Sequence, residues 1–120
     1  MANILLAEDD AIERGLLARG LAGDGHAVVE AENGLIALQR LQADPTAINV
    51  LVTDVDMPEL DGIELARRAL AAKPALKVLL ITGYAGSMER AADVLALGAR
   101  HLVKPVQLEK VRAEVRAMLG

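Results

Sequence analysis

The sequence predicts an α/β domain: a doubly wound, five-stranded parallel sheet covered on both faces by five helices. Three observations carry that expectation. Short unbroken apolar runs recur along the chain, segments with apolar residues at helical spacing separate them, and four of the five runs end on a residue able to do chemistry. An unbroken apolar run suits a strand buried on both faces, and regular alternation of such strands with helices is the pattern of a parallel sheet.

The elements follow in order. Ile4-Leu5-Leu6-Ala7 is the first strand, and it stops on Glu8-Asp9-Asp10. From Ala11 to about Leu21, the residues Ile12, Leu16, Leu17 and Leu21 form the stripe of an amphipathic helix that Gly23-Asp24-Gly25 ends. Ala27–Ala31 is the second strand, and Asn33-Gly34 turns into a helix carrying Ile36, Leu38 and Leu41 that Asp44-Pro45 closes. Val50-Leu51-Val52 is the third strand and delivers Asp54 to its carboxyl end. Ile63, Ala66 and Leu70 mark a third helix ending near Lys73-Pro74. Val78–Ile81 is the fourth strand, ending on Thr82-Gly83, and Met88 to Leu97 reads as a fourth helix stopped by Gly98. His101-Leu102-Val103 is a brief fifth strand ending on Lys104-Pro105, followed by a last helix with Leu108, Val111, Val115 and Leu119 in its stripe.

Composition narrows the function classes. A chain of 120 residues with 53% hydrophobic residues, no cysteine and a net charge of -4 suits a single domain spanning residues 1–120, with no second domain expected. Thirteen basic residues against seventeen acidic ones, without a basic run, argue against nucleic acid or an anionic membrane as the partner. The opening stretch Met1–Asp10 is neither a signal peptide nor a membrane span, which points to the cytoplasm. Thiolate metal sites and disulfides are excluded. With Tyr84 as the one residue among Phe, Tyr and Trp, the core has to be built from Leu, Val, Ile, Ala and Met.

The stretch Val52–Gly62, VTDVDMPELDG, places four acids, a proline and a glycine directly after an apolar run, more carboxylates than a turn requires. In an open parallel sheet, ligands sit outside the carboxyl ends of the strands near the point where strand order reverses. With the order 2-1-3-4-5, Glu8-Asp9 and Thr82 flank Asp54 at one strand spacing, roughly 5 Å, and Lys104 stands two strands away at roughly 10 Å, within reach of a long side chain only. Carboxylates this close repel unless a cation or a proton intervenes. Oxygen ligands favour Mg2+, while the missing thiols and the placement of His26 and His101 argue against zinc. A carboxylate beside Mg2+, with a hydroxyl and an ammonium near it, is arranged for phosphoryl transfer with Asp54 as nucleophile.

Taken together, LLAEDD, VTDVDMPELDG, LLITGY and HLVKP, in this order and at these intervals, resemble the receiver domains of bacterial response regulators, the CheY-like branch of the flavodoxin-like folds, over essentially the whole chain. The resemblance implies that Asp54 accepts phosphate from a phosphohistidine on a sensor histidine kinase or histidine phosphotransfer protein. It also implies that Asp9 and Asp54 bind Mg2+, that Glu8 acts through water, and that the Asp56 backbone carbonyl completes the protein ligands. Thr82 and Lys104 would bind the phosphoryl oxygens, and a cis peptide before Pro105 would aim Lys104 inward. A stand-alone receiver, monomeric when unphosphorylated, is expected to signal by contact with another protein through the face of the fourth helix, fifth strand and fifth helix. ILLAEDD, MPELDGIELARRA and ITGYA are similar in particular to the CpdR-like regulators, whose unphosphorylated form assists delivery of substrates to a protease.

Departures from the family pattern define further candidates. His101 stands at the switch position usually held by Tyr or Phe, Val106 stands where Phe commonly follows the Lys-Pro pair, and Tyr84 stands where it could control access of water to an acyl phosphate. Ordinary readings apply to the rest. Asp10 is a helix N-cap, Glu59 and Asp61 belong to a turn and a helix start, Pro58 and Gly62 shape the loop, Met57 packs, His26 is a surface residue, and Arg67-Arg68 is a solvated helix face. Two alternatives stand beside the phosphorylation-controlled binding module. One is a phosphatase similar to the haloacid dehalogenases, which also use Asp-x-Asp with Thr or Ser and Lys, and the other is a scaffold with a receiver fold that works without phosphate.

Overall fold

A computed structural model describes residues Met1–Gly120. Five parallel strands, β1 (Asn3–Ala7), β2 (Ala27–Ala31), β3 (Val50–Asp54), β4 (Lys77–Thr82) and β5 (Arg100–Val103), lie in the expected order β2-β1-β3-β4-β5. Five helices connect or follow them: α1 (Ala11–Gly23), α2 (Gly34–Ala43), α3 (Gly62–Ala72), α4 (Ala92–Ala96) and α5 (Leu108–Leu119).

Alternation along the strands divides each apolar run between two cores. Ile4, Leu6, Val50, Val52, Leu79 and Ile81 face α1 and α5, where they meet Ala18, Leu21, Val111, Val115 and Met118. Leu5, Ala7, Leu51, Val78 and Leu80 face the other way, against Ala37, Leu38, Ile63, Ala66 and Val94. Every residue of β3 is buried, which explains why its sequence carries no polar alternation. Truncating its one leucine, the fully buried Leu51, to alanine costs about 2–5 kcal/mol by analogy with other cores.

Three helical expectations need correction. The fourth helix does not run from Met88: a 3-10 segment occupies Ala85–Ala91, and α4 proper is confined to Ala92–Ala96. The Arg90 carbonyl, which an α-helix would offer to the amide four residues on, accepts instead from the Arg67 guanidinium at 3.2 Å, while Asp93 is held by the same guanidinium at 2.7 and 3.1 Å. In α1, Ile12 and Leu16 are 77% and 50% exposed, so the buried stripe begins with Leu17 and Ala18. In α5 the buried position is Met118, not Leu119.

His26 is also corrected. It is buried, not a surface residue, and its Nδ1 accepts from the Ala2 amide at 3.1 Å, tying the start of β2 to the start of β1. Both arginines are engaged, Arg67 with Glu64 and Asp93 and Arg68 with Glu64, and of the two Arg68 is the exposed one. Asp10 caps α1 by accepting from Ile12 and Glu13, Asp61 caps α3 by accepting from Glu64, and Met57 packs against the core. No helix is long and apolar enough to cross a membrane.

Candidate functional site

Strand register brings the chemistry together at the carboxyl rim. Ala7 pairs with Thr53, so Glu8 and Asp9 leave β1 beside Asp54, the last residue of β3. Thr82 pairs with Val103, and the Lys104 amide extends that ladder by donating to the Thr82 carbonyl at 2.7 Å. The Lys104-Pro105 peptide is cis. Lys104 Nζ lies 3.4 Å from Asp54 Oδ1, 3.6 Å from Glu8 Oε1 and 3.4 Å from Glu13 Oε2.

The loop after β3 is shaped by backbone constraints. Val55 donates to the Ile81 carbonyl at 2.9 Å, and Gly62 donates to the Val55 carbonyl at 2.9 Å, closing the loop on itself. A side chain at Gly62 would collide with the Asp54 carbonyl oxygen, so glycine is required where α3 starts against the end of β3. Glu59 takes a left-handed conformation, with φ of 72°. Of the four acids in the loop, Asp54 is buried, Asp56 is exposed, Glu59 occupies the turn and Asp61 caps α3. One acid in four therefore points to chemistry in its own side chain.

Glu8 is 3% exposed and Asp54 5% exposed. One carboxylate oxygen each from Glu8, Asp9 and Asp54 lie within 4.8 Å of one another. Burial pushes the Glu8 carboxyl up to about 7; the Asp10 amide, donating to it at 3.1 Å, opposes this, and the charge of Asp54 adds to it. Asp54 is raised above the usual carboxylate range by burial against the opposition of Lys104, with Asp56 and Asp9 contributing further repulsion. Burial alone would lower the Lys104 ammonium, but Asp54, Glu8 and Glu13 outweigh it, so the lysine stays charged. Asp54 Oδ1 is buried and has no hydrogen-bond partner, because Lys104 approaches without hydrogen-bond geometry. One lysine does not neutralise this many acids.

The other candidates stand apart from that centre. The Thr82 hydroxyl is turned to its own loop, donating to the Tyr84 carbonyl at 3.0 Å and accepting from the Tyr84 amide at 3.1 Å. Tyr84 is 71% exposed and its ring lies over Gly86. His101 is exposed on the edge strand, in register with Leu80.

Residues 4–116 match the family described as response regulator receiver domains. The chain belongs to that family. Among curated relatives, this receiver is 42% identical over 119 residues to the response regulator receiver protein CpdR of Brucella abortus (strain 2308), covering 99% of this chain and 98% of the relative. It is 36% identical to the response regulator MprA of Mycobacterium ulcerans (strain Agy99), covering 97% of this chain but only 49% of that protein, about half its length. Among solved structures, the response regulator TrrA of Thermotoga maritima, in complex with Mg(2+)-BeF, superposes with a TM-score of 0.85 at 25% identity, covering 98% of this chain and 99% of that one.

Two rim residues escaped the reading of the sequence. Glu13, in the first turn of α1, reaches Lys104. Arg14 donates to the Glu8 carbonyl at 2.8 Å and lies 3.4 Å from Glu30. The signal was topological: α1 and α5 share one face of the sheet, so the first turn of α1 looks toward the segment between β5 and α5 that begins with Lys104.

Proposed function

We propose that this receiver accepts a phosphoryl group on Asp54 from the phosphohistidine of a sensor histidine kinase or phosphotransfer protein. The observation that carries the reading is the buried Asp54 Oδ1, without a hydrogen bond, among the oxygens of Glu8 and Asp9 and beside Lys104. The donor set is all oxygen and short of positive charge, which fits Mg2+. Asp9 and Asp54 would hold the ion, with Glu8 acting through water and the Asp56 carbonyl contributing a further oxygen. When bound, the ion supplies charge neutralisation for the carboxylates and the incoming phosphoryl oxygens.

The remaining steps belong to the chain. Asp54 attacks phosphorus, an oxygen–phosphorus bond forms, and the nitrogen–phosphorus bond of the donor breaks with its electron pair going to the imidazole. Lys104 and Thr82 then take phosphoryl oxygens, which requires the Thr82 hydroxyl to leave the Tyr84 backbone. That movement, with His101 following, repacks the surface of α4, β5 and α5 and changes what binds there. Tyr84, at the mouth of the loop, slows the loss of phosphate. The similarity to CpdR directs the search for a downstream cytoplasmic partner toward a protease adaptor role.

Incubation with a small phosphodonor and Mg2+, followed by intact-mass measurement, tests the proposal. Wild type is expected to gain one phosphoryl group and Asp54→Asn none. Continuous turnover of small phosphoesters, or no mass gain in wild type, overturns it.

A further inference from the structure

Lys104 is the one cation paired with the buried carboxylates of Glu8 and Asp54, and its directed hydrogen bond goes to Glu13. Its ammonium donates to Glu13 Oε2 at 3.4 Å. It stands equally far from Asp54 Oδ1, yet that oxygen receives no hydrogen bond. Glu13 lies on α1, outside the loop that carries Glu8 and Asp9, and its side chain is 47% exposed. Its backbone is fixed independently of the lysine: the Glu13 amide donates to the Asp10 cap at 3.0 Å, and a carboxylate in the first turn is favoured by the helix dipole.

We propose that Glu13 is a positioning residue that competes with Asp54 for Lys104, drawing its hydrogen bond to α1 until a phosphoryl group arrives, and thereby limits how tightly that group is held. The inference rests on the phosphoacceptor reading of Asp54. Phosphorylation replaces one carboxylate charge with an acyl phosphate carrying about two negative charges and several acceptor oxygens. The ammonium then has a stronger partner on the Asp54 side, and leaving Glu13 is a cost charged against the phosphorylated state. Because the Glu13–Lys104 pair is half solvated, that cost is small, and removing it tightens phosphoryl binding by about two- to fivefold.

Beryllofluoride, a phosphoryl analogue, serves as the probe. Calorimetric titration in the presence of Mg2+ compares wild type, Glu13→Gln, Glu13→Asp and Asp54→Asn, with thermal melts to verify folding. Glu13→Gln is expected to bind beryllofluoride about two- to fivefold more tightly than wild type at low salt, with the gain shrinking as salt rises. Glu13→Asp keeps the helix-start charge but draws the carboxylate back by one methylene, so it is expected to behave like Glu13→Gln. If Glu13→Asp matched wild type while Glu13→Gln bound more tightly, a general field effect would replace this competition and the inference would be wrong. Unchanged or weaker binding in Glu13→Gln overturns it as well, while leaving the phosphoacceptor reading intact. Wild type that binds no beryllofluoride, or binding that survives in Asp54→Asn, sinks both.

Discussion

Asp54 Oδ1 at the carboxyl rim of the sheet and His26 Nε2 at the opposite rim are both buried without a hydrogen-bond partner, and everything around them differs. Asp54 is surrounded by groups whose own partners can change: Glu8 and Asp9 repel it, and Lys104 is shared with Glu8 and Glu13. His26 sits among settled contacts. Its Nδ1 is occupied by the Ala2 amide, and nearby Asp24 is claimed by Arg112 at 2.5 and 3.0 Å, which holds the Asp24 carboxyl below its usual range. An orphaned buried atom therefore marks a site only where unbalanced charge converges on it. The amino rim carries an ordinary structural defect, and the carboxyl rim carries chemistry.

The largest expected effect breaks the carboxyl rim through the backbone. Gly62→Ala drives a methyl group into the Asp54 carbonyl, which cannot move without shifting the end of β3. A loss of about 3 kcal/mol in chemical denaturation is expected, at the upper end for overpacking, together with reduced phosphoryl acceptance by intact mass. His26→Ala comes next. It leaves the Ala2 amide without its acceptor and opens a small cavity, costing about 2 kcal/mol. Phosphoryl acceptance should be unchanged. Loss of acceptance in His26→Ala, with folding intact, would show that the two rims are coupled and would end the contrast drawn above.

A pH series sharpens the contrast from the electrostatic side. Glu8, raised from 4.5 to about 7, keeps a proton in the fold that the unfolded chain has already released. Between those values the folded state binds more protons than the unfolded state, so stability without Mg2+ falls as pH rises through that window and levels off above it. Asp54, also raised, acts in the same sense. Mg2+ has to displace the proton, so its affinity should climb by about fivefold between pH 6 and pH 7 and by no more than about twofold beyond. Calorimetry in Mg2+ reads this directly, and an affinity independent of pH would mean that Glu8 is already ionised.

The carboxyl rim was legible in the sequence because it is built by register. Once strand order places β1 and β4 on either side of β3, residues that directly follow apolar runs have to meet, and the length of a lysine side chain decides that Lys104 arrives. What the sequence hid depends on contacts between elements. The pattern from Met88 to Leu97 is helical by itself, but Arg67, on a different helix, takes the Arg90 carbonyl and holds Asp93. Ile12 and Leu16 fit an apolar stripe, yet the first turn of α1 stands over the rim, close enough for Glu13 to touch Lys104, where no sheet remains to cover it. His26 was read as exposed because the Ala2 amide that satisfies it is 24 residues away.

Backbone strain is the last respect in which the carboxyl rim differs, and it has the smallest expected effect. Glu59 is the one non-glycine residue with positive φ, and it lies in the loop that links Asp54 to α3. A side chain in this conformation costs about 1–2 kcal/mol, and the added freedom of glycine in the unfolded chain returns about 0.5–1 kcal/mol of that. Glu59→Gly should therefore stabilise the protein by about 0.5–1 kcal/mol in chemical denaturation. Phosphoryl acceptance separates two meanings of the strain. Unchanged acceptance makes Glu59 a tolerated misfit of the turn. Reduced acceptance in the more stable variant assigns the strained turn to holding Asp56 and the end of β3 in place for the chemistry.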